Sequence, residues 1–445
     1  MLKRLMLWGG LGLLGYGVYY AGLMMRVLAG FGAKQLCSCV FVSQRTPASA
    51  LALDLNRFPY TLASYQIDHA ERWVEARVGL GPTRRAVYRD GLGCVLLTDL
   101  AQVPEPRTYI PPAIEFQPLP KRRPGSAVDY AQLDSAVARA FVEPNASRPQ
   151  NTLAVAVLYR DTLVAECYAS GITADTPLPG WSMAKSVTNA LIGVLVRQGQ
   201  LSVEDPAPVA AWKDDERRHI TINDLLRMQS GQAWSENYFL VSDVTRMIFL
   251  SKDMSARAER QPLAHPPGSR WLYSSGTTNV LSQIIRNTVG EADYREFPYR
   301  ALFGLLGMRS ATWEADPTGT LVGSSYLLAT ARDWAKFGAL YLNDGCWQEQ
   351  RILPEGWVAY TTTPVPSAPQ RQYGAHFWLN AGEANDPTER PFPDAPTDTY
   401  FAQGFDGQNI FIIPSRQLVI VRLGVTTQGN FDQNQFISDV LNAFP

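Results

Sequence analysis

The chain has 445 residues, 46% of them hydrophobic, enough for one large catalytic domain with further segments attached. Its 40 Lys and Arg against 41 Asp and Glu leave a formal charge of −1 with no long charged run, which argues against a nucleic-acid partner. Four histidines (His69, His219, His265 and His376) are scattered without paired ligand spacing, which argues against a catalytic metal; no Gly-rich phosphate loop appears, and no cofactor is expected.

Lys3 and Arg4 are followed by residues 5–25, which carry no charge until Arg26. These 21 residues are about the length that crosses a bilayer as a helix, and they hold the glycines and aromatics common in membrane helices. Positive charge at the extreme N-terminus predicts a single pass with the N-terminus inside. The rest of the chain is then expected on the periplasmic or extracytoplasmic side of the inner (cytoplasmic) membrane. Two alternatives stay open: a signal peptide cleaved near Val27-Leu28-Ala29, and a buried core helix. Cys37, Cys39 and Cys94 lie in the N-terminal third, Cys167 and Cys346 further on. Outside the cytoplasm Cys94 can pair with Cys37 or Cys39; in a reducing compartment all five stay thiols.

Residues 1–33 are therefore assigned to the anchor and 34–118 to a small accessory module. In the module, Ser64–Gly79 and Thr83–Thr98 read as strands joined by Gly79-Leu80-Gly81-Pro82. Trp73-Val74-Glu75-Ala76-Arg77-Val78 alternates as a half-exposed strand does. Residues 119–128 form the linker, within a stretch marked by Pro104, Pro106, Pro111, Pro112, Pro118, Pro120 and Pro124 around Lys121-Arg122-Arg123. The remaining domain, 129–445, opens with a helix near Asp129–Phe141 and a hairpin, Thr152–Arg160 with Leu163–Ala169. It closes with a second hairpin, Asn409–Ile413 with Leu418–Leu423, and a helix over Asp432–Asn442. Strands at both ends with helices between predict an α+β fold whose terminal hairpins build one antiparallel sheet.

Two segments between the hairpins carry chemistry. From Met183 the apolar positions Val187, Ala190, Leu191, Val194 and Leu195 follow a helical period that ends near Gly199. Ser182 and Lys185, three apart at its start, share a face. A desolvated lysine amine can take a serine proton, and the free N–H groups of a helix N-terminus favour an oxyanion. Ser182, Lys185 and Asn189 fall on the side that can line a cleft. A plain N-cap serine beside a solvated lysine fits the same pattern. The second segment, His265 to Gly276, reads as a loop feeding a helix. It places Tyr273 at the junction, where a phenol projects into a cleft or packs in the core beside Trp271. Trp234, Glu236 and Tyr238 precede a stretch that can border the same cleft.

Together the two segments resemble the penicillin-binding protein and class C β-lactamase superfamily of serine hydrolases. Ser182-x-x-Lys185 corresponds to its Ser-x-x-Lys, and Tyr273-Ser274-Ser275 to its Tyr-x-Asn with Ser275 in place of the asparagine. The Tyr-Ser-Ser form is similar to the branch of 6-aminohexanoate-oligomer hydrolases and related esterases. Ile222-Asn223-Asp224-Leu225-Leu226, Phe303-Gly304-Leu305-Leu306-Gly307-Met308, Gly323-Ser324-Ser325-Tyr326 and Gly404-Phe405-Asp406-Gly407-Gln408 extend the likeness over roughly residues 125–445.

The resemblance implies a β-lactamase/transpeptidase-like domain over 129–445, with a five-stranded antiparallel sheet covered by helices. It implies cleavage of a small-molecule amide or ester through an acyl-enzyme on Ser182, with Lys185 and Tyr273 moving the proton as a coupled pair. The oxyanion would be held by the N–H groups of Ser182 and of Gln408, just after Gly407. Ser275 and Asp406 would lie at the substrate. The family's Lys-Thr-Gly is replaced by Phe405-Asp406-Gly407, so its cation is missing. Asp406 would repel a β-lactam carboxylate if it faced the cleft, or serve only as a turn residue. A peptidoglycan-type D-peptidase or esterase, and a non-catalytic sensor of the same fold, are the alternatives.

Overall fold

The computed structural model describes residues 2–98, 108–115, 117–122, 127–145, 147–383, 386, 389–427 and 429–445. Pro104, Pro106, Arg123 and Pro124 of the expected linker region lie outside the described residues, as do the side chains of Lys3 and Arg4.

Helix α1 runs from Leu2 to Cys37, well past the expected apolar span. Its two parts have different surroundings. Leu13, Leu14, Tyr16, Val18 and Tyr19 are exposed, whereas Val27, Leu28, Phe31, Leu36 and Cys37 are buried in the protein. Among the described residues it is the one helix long and apolar enough to cross a membrane, and much of that stretch packs inside the protein.

The buried part lies on a four-stranded antiparallel meander of β1 (Ala63–Asp68), β2 (Trp73–Val78), β3 (Arg84–Arg89) and β4 (Gly93–Leu97). Each long strand expected from the sequence is a hairpin instead. Asp68 accepts the N–H groups of Ala70 and Glu71, a side-chain turn that reverses the chain before β2. Gly91 and Gly93, both at positive φ, do the same before β4. Alternation in β2 sends Val74, Ala76 and Val78 toward α1. A disulfide, Cys37–Cys94, ties α1 to β4, and Cys39 remains a buried thiol.

The module and the buried end of α1, expected to belong to the anchor, share a core with the large domain, where Phe31 stacks on Trp181 and meets Phe249. A buried carboxylate completes the junction. Glu314 of the large domain pairs with Lys34, accepts from Ser38 Oγ at 2.9 Å, and takes the N–H of Cys94 at 2.6 Å.

The large domain contributes α2 (Tyr130–Arg139), β5 (Thr152–Tyr159), β6 (Thr162–Tyr168), α3 (Met183–Arg197), α4 (Asp243–Leu250), α5 (Ser275–Val289) and α6 (Ala331–Leu342). It ends with β7 (Trp378–Leu379), β8 (Tyr400–Gly404), β9 (Gln408–Ile413), β10 (Leu418–Gly424) and α7 (Gln433–Leu441). The terminal hairpins join through an antiparallel pairing of β10 with β5, giving the sheet order β7-β8-β9-β10-β5-β6. Five strands match the expectation, and the two-residue β7 adds a short edge. Both faces are covered, so the strands are apolar almost throughout. Ala154, Ala156, Ile410, Ile412, Val419 and Val421 face the main core with α3 and α6. Val155, Val157, Phe411 and Ile420 face Val137 of α2 and Phe436 and Val440 of α7.

Glu314 is 1% exposed at its side chain and Lys34 5%, so removing the carboxylate leaves a buried cation without its partner. Glu314→Ala is expected to lower unfolding stability by about 3–5 kcal/mol, read from the denaturant midpoint.

Candidate active site

Helix α3 begins where the chain is bent sharply. Trp181 sits at φ +48°, a left-handed conformation that side chains other than glycine seldom adopt. Ser182 follows as the N-cap residue, but its side chain makes no capping hydrogen bond. Its Oγ instead receives the Lys185 Nζ at 3.0 Å. The plain-cap reading of the sequence therefore does not hold. Among the described residues no acceptor takes the Ser182 N–H, which stands at the positive end of a 15-residue helix.

Lys185 is fully enclosed. Its amine donates to Ser182 Oγ, to Ser275 Oγ and to the carbonyl of Ser324, each at 3.0 Å. Burial lowers its pKa to about 8, with the Glu236 carboxylate pulling it back up. The Ser324 carbonyl can come this close because Gly323 has no side chain. A Cβ there would stand 2.1 Å from Ser282 Oγ on α5 and 2.7 Å from Thr188 Oγ1 on α3.

Tyr273 lies just before α5, with its ring centroid 4.9 Å from Lys185 Nζ. Burial pushes its phenol well above the usual value, and Glu236 adds to the rise, while the nearby Ser182 hydroxyl offsets part of it. The sequence expectation is a coupled pair, in which an ammonium and a phenolate would favour one another. Burial instead favours the uncharged form of each, leaving Tyr273 as an O–H donor.

Ser275 occupies the place of the family asparagine but lies behind Lys185, fully buried. Its Oγ donates to Glu236 at 2.5 Å and its N–H reaches the other Glu236 oxygen at 2.9 Å. Trp234 Nε1 and Tyr238 O–H also donate to Glu236, at 2.5 and 2.9 Å. The carboxylate thus ends a chain of contacts, Ser182–Lys185–Ser275–Glu236. Trp-x-Glu-x-Tyr was a faint sequence signal for this, since nothing in its spacing reveals which side chain a carboxylate will meet.

The strand side of the site is built by close backbone approach. A Cβ on Gly404 would meet the Gly180 carbonyl at 2.1 Å, so only glycine lets the β8–β9 turn pack beside the Ser182 segment. The Gly407 carbonyl accepts from Arg422 Nη1 at 3.0 Å and from Asn409 Nδ2 at 3.1 Å. In a trans peptide this turns the Gln408 N–H the opposite way. The Gln408 side chain is tied to both backbone groups of Gly424, so it is not free to reach a ligand.

Asp406 sits in the turn at φ +62° and forms an ion pair at 2.5 Å with Arg57 of the accessory module. Burial raises its pKa to about 6, and Arg57 opposes the rise. Its charge is balanced rather than presented free to the cleft. One residue that the helical period puts on the cleft side takes no part. Asn189 is buried, bonded to Tyr341, Trp357, Thr361 and the Ala375 carbonyl, because α3 is enclosed on all sides from Met183 to Leu195. His376 is locked to the Lys185 carbonyl and Thr278, and burial lowers its pKa to about 3, so it stays neutral.

Residues 137–437 match the protein-family model described as Beta-lactamase. A 6-aminohexanoate-dimer hydrolase of Paenarthrobacter ureafaciens is 25% identical over 392 residues, which cover 82% of this chain and 87% of that protein. Among solved structures, a candidate 6-aminohexanoate-dimer hydrolase from Bacillus anthracis superposes with a TM-score of 0.57 at 22% identity, covering 74% of this chain and 86% of the other. A family VIII carboxylesterase does so with a TM-score of 0.52 at 14% identity, covering 74% and 100%.

Lys185 is expected to titrate near pH 8, followed through the 13Cε resonance of selectively labelled lysine. Removing the Glu236 charge removes a contribution that raises this pKa, so Glu236→Gln should move the titration to lower pH. An unchanged or higher midpoint would contradict the assigned coupling.

Proposed function

The chain belongs to the β-lactamase family, whose fold carries serine hydrolases, and from that premise we propose that it is a membrane-anchored hydrolase cleaving an amide or ester through an acyl-enzyme on Ser182. The observation that carries this reading is the Lys185 amine, buried, 3.0 Å from Ser182 Oγ, and brought to a pKa of about 8. At that value a useful fraction of the amine is neutral near pH 7 and can accept a proton.

In the proposed cycle Ser182 Oγ attacks the substrate carbonyl carbon while its proton passes to neutral Lys185. The developing oxyanion is held by the N–H groups of Ser182 and Gln408. Collapse of the tetrahedral intermediate breaks the bond to the leaving group, which takes a proton from the Tyr273 phenol. The Lys185 ammonium returns that proton to Tyr273. Water then attacks the acyl-enzyme, giving up its proton along the same path and releasing the acid and free Ser182. Ser275 and Glu236 hold the Lys185 amine from behind.

The third motif supports a substrate without the β-lactam carboxylate. Phe405-Asp406-Gly407 supplies no lysine, and the cation nearest Asp406, Arg57, is already paired with it. The relative's name, a 6-aminohexanoate-dimer hydrolase, supports a linear amide as one candidate, and the esterase neighbour supports an ester as another. The exposed apolar start of α1 supports an anchor in the inner membrane, and the Cys37–Cys94 disulfide supports an oxidising, extracytoplasmic setting for the catalytic domain.

A fluorophosphonate probe is expected to label the wild-type chain and not Ser182→Ala; an unlabelled wild type would end the nucleophile assignment. For a substrate found in a panel of short acyl esters and linear amides, kcat/KM should rise with pH through about 8 as Lys185 loses its proton, then level off. Tyr273→Phe should lower kcat by roughly 10²–10⁴-fold. A compartment reporter fused at the C-terminus should be active only outside the cytoplasm.

A further inference from the structure

The loop that carries Glu236 and Tyr238 has a second, outward-facing part. Tyr238 closes on the site, with its ring 5.7 Å from Phe405 and its hydroxyl 3.3 Å from Ser275 Oγ. The next two residues, Phe239 and Leu240, turn away from the protein, and Phe239 is 81% exposed. The loop then returns to α1, where the Val241 N–H donates to the Tyr20 hydroxyl at 3.2 Å. A second apolar tip stands near the same part of the helix. Leu80, 95% exposed, caps the β2–β3 turn, and the adjoining Gly81 lies so near Met25 that a Cβ would come within 2.8 Å of its Cβ.

Tyr20 and Met25 are five residues apart on α1. At 1.5 Å and 100° per residue they differ by about 8 Å along the axis and about 140° around it. Leu80 and the Phe239-Leu240 tip therefore flank the helix from two sides, where it leaves the protein body. Just before that point Leu13, Leu14, Tyr16, Val18 and Tyr19 are exposed, and their positions spread around the whole circumference. A helix apolar on all sides suits a lipid interior rather than a one-sided docking groove.

We propose that Leu80, Phe239 and Leu240 form an apolar collar that seats the catalytic body on the bilayer surface, so that the Ser182 site opens at the membrane–water boundary. This rests on the membrane-anchor reading given above, to which it adds the docking surface and the substrate class. Because Phe239 adjoins Tyr238, the substrate is an amphiphilic ester or amide. Its apolar part lies in the bilayer while its scissile carbonyl reaches Ser182.

The test uses the full chain in nanodiscs, in a Cys167→Ser, Cys346→Ser background. A fluorophore is attached at Leu13→Cys, Phe239→Cys, Leu80→Cys or Val142→Cys. Lipids carrying a shallow nitroxide quencher should quench the labels at positions 239 and 80 but not the one at 142, with a deep quencher acting at 13. Quenching at 13 alone would keep the anchor and overturn the collar; no quenching at 13 would overturn both. Crosslinking between Phe239→Cys copies, without lipid quenching, would make the surface a self-association face and sink the proposal. In a second arm, Phe239→Asp/Leu240→Asp should keep turnover of a short soluble ester. It should lose about tenfold on a long-chain ester embedded in the disc. Equal loss on both substrates, or on neither, would overturn the substrate assignment.

Discussion

The enclosed amine of Lys185 is the constraint around which the catalytic domain is arranged. An ammonium inside protein is costly unless its donors are met, and here three oxygens meet them from three different parts of the fold. Ser182 comes from the start of α3, Ser275 from the start of α5, and the Ser324 carbonyl from a loop admitted by Gly323. Those three elements must pack at close range for the amine to exist there at all. The same burial that demands them brings its pKa to about 8, so one packing requirement serves both stability and reactivity.

Behind the amine the support is polar and anchored. Glu236 gathers donors from Trp234, Tyr238 and both polar groups of Ser275. A carboxylate with this many partners is held in one place, and it holds Ser275 against Lys185 in turn. The serine in place of the family asparagine is thereby explained: a short hydroxyl bridges amine and carboxylate. On the strand side Arg422 fixes the Gly407 carbonyl and so the direction of the following N–H. The accessory module joins this framework rather than standing apart. Arg57 neutralises Asp406 in the same turn, and Phe31 of α1 stacks on Trp181 beside Ser182.

Much of this is legible in the sequence. The hairpins at both ends of the large domain and its helix boundaries follow from period and turn residues, as with Gly199 at φ +69° after α3. The accessory strands are shorter than the pattern predicts because Asp68 and the Gly91–Gly93 pair turn the chain without a break in apolar content. A helical wheel puts Asn189 toward a cleft because it separates polar from apolar positions, yet a central helix has no solvent side, and its polar residues bond inward. Glu236 and Arg57 could not be assigned, since their roles depend on partners 39 and 349 residues away.

By itself the sequence determined the residue types of the candidate site and their local spacing, a serine and a lysine one helical turn apart and a tyrosine at a loop–helix junction, together with an apolar N-terminal run. These are local properties, set by helical geometry and side-chain chemistry within a few residues. Only the tertiary structure decided that the amine is enclosed, that Tyr273 and Lys185 are driven toward their neutral forms, that Cys94 pairs with Cys37, and that Asp406 is spent on Arg57. It also decided that α1 is two things in succession, an exposed apolar rod and then a core helix. Burial and pairing are sums over neighbours brought together from across the chain, and no stretch of sequence contains its own surroundings.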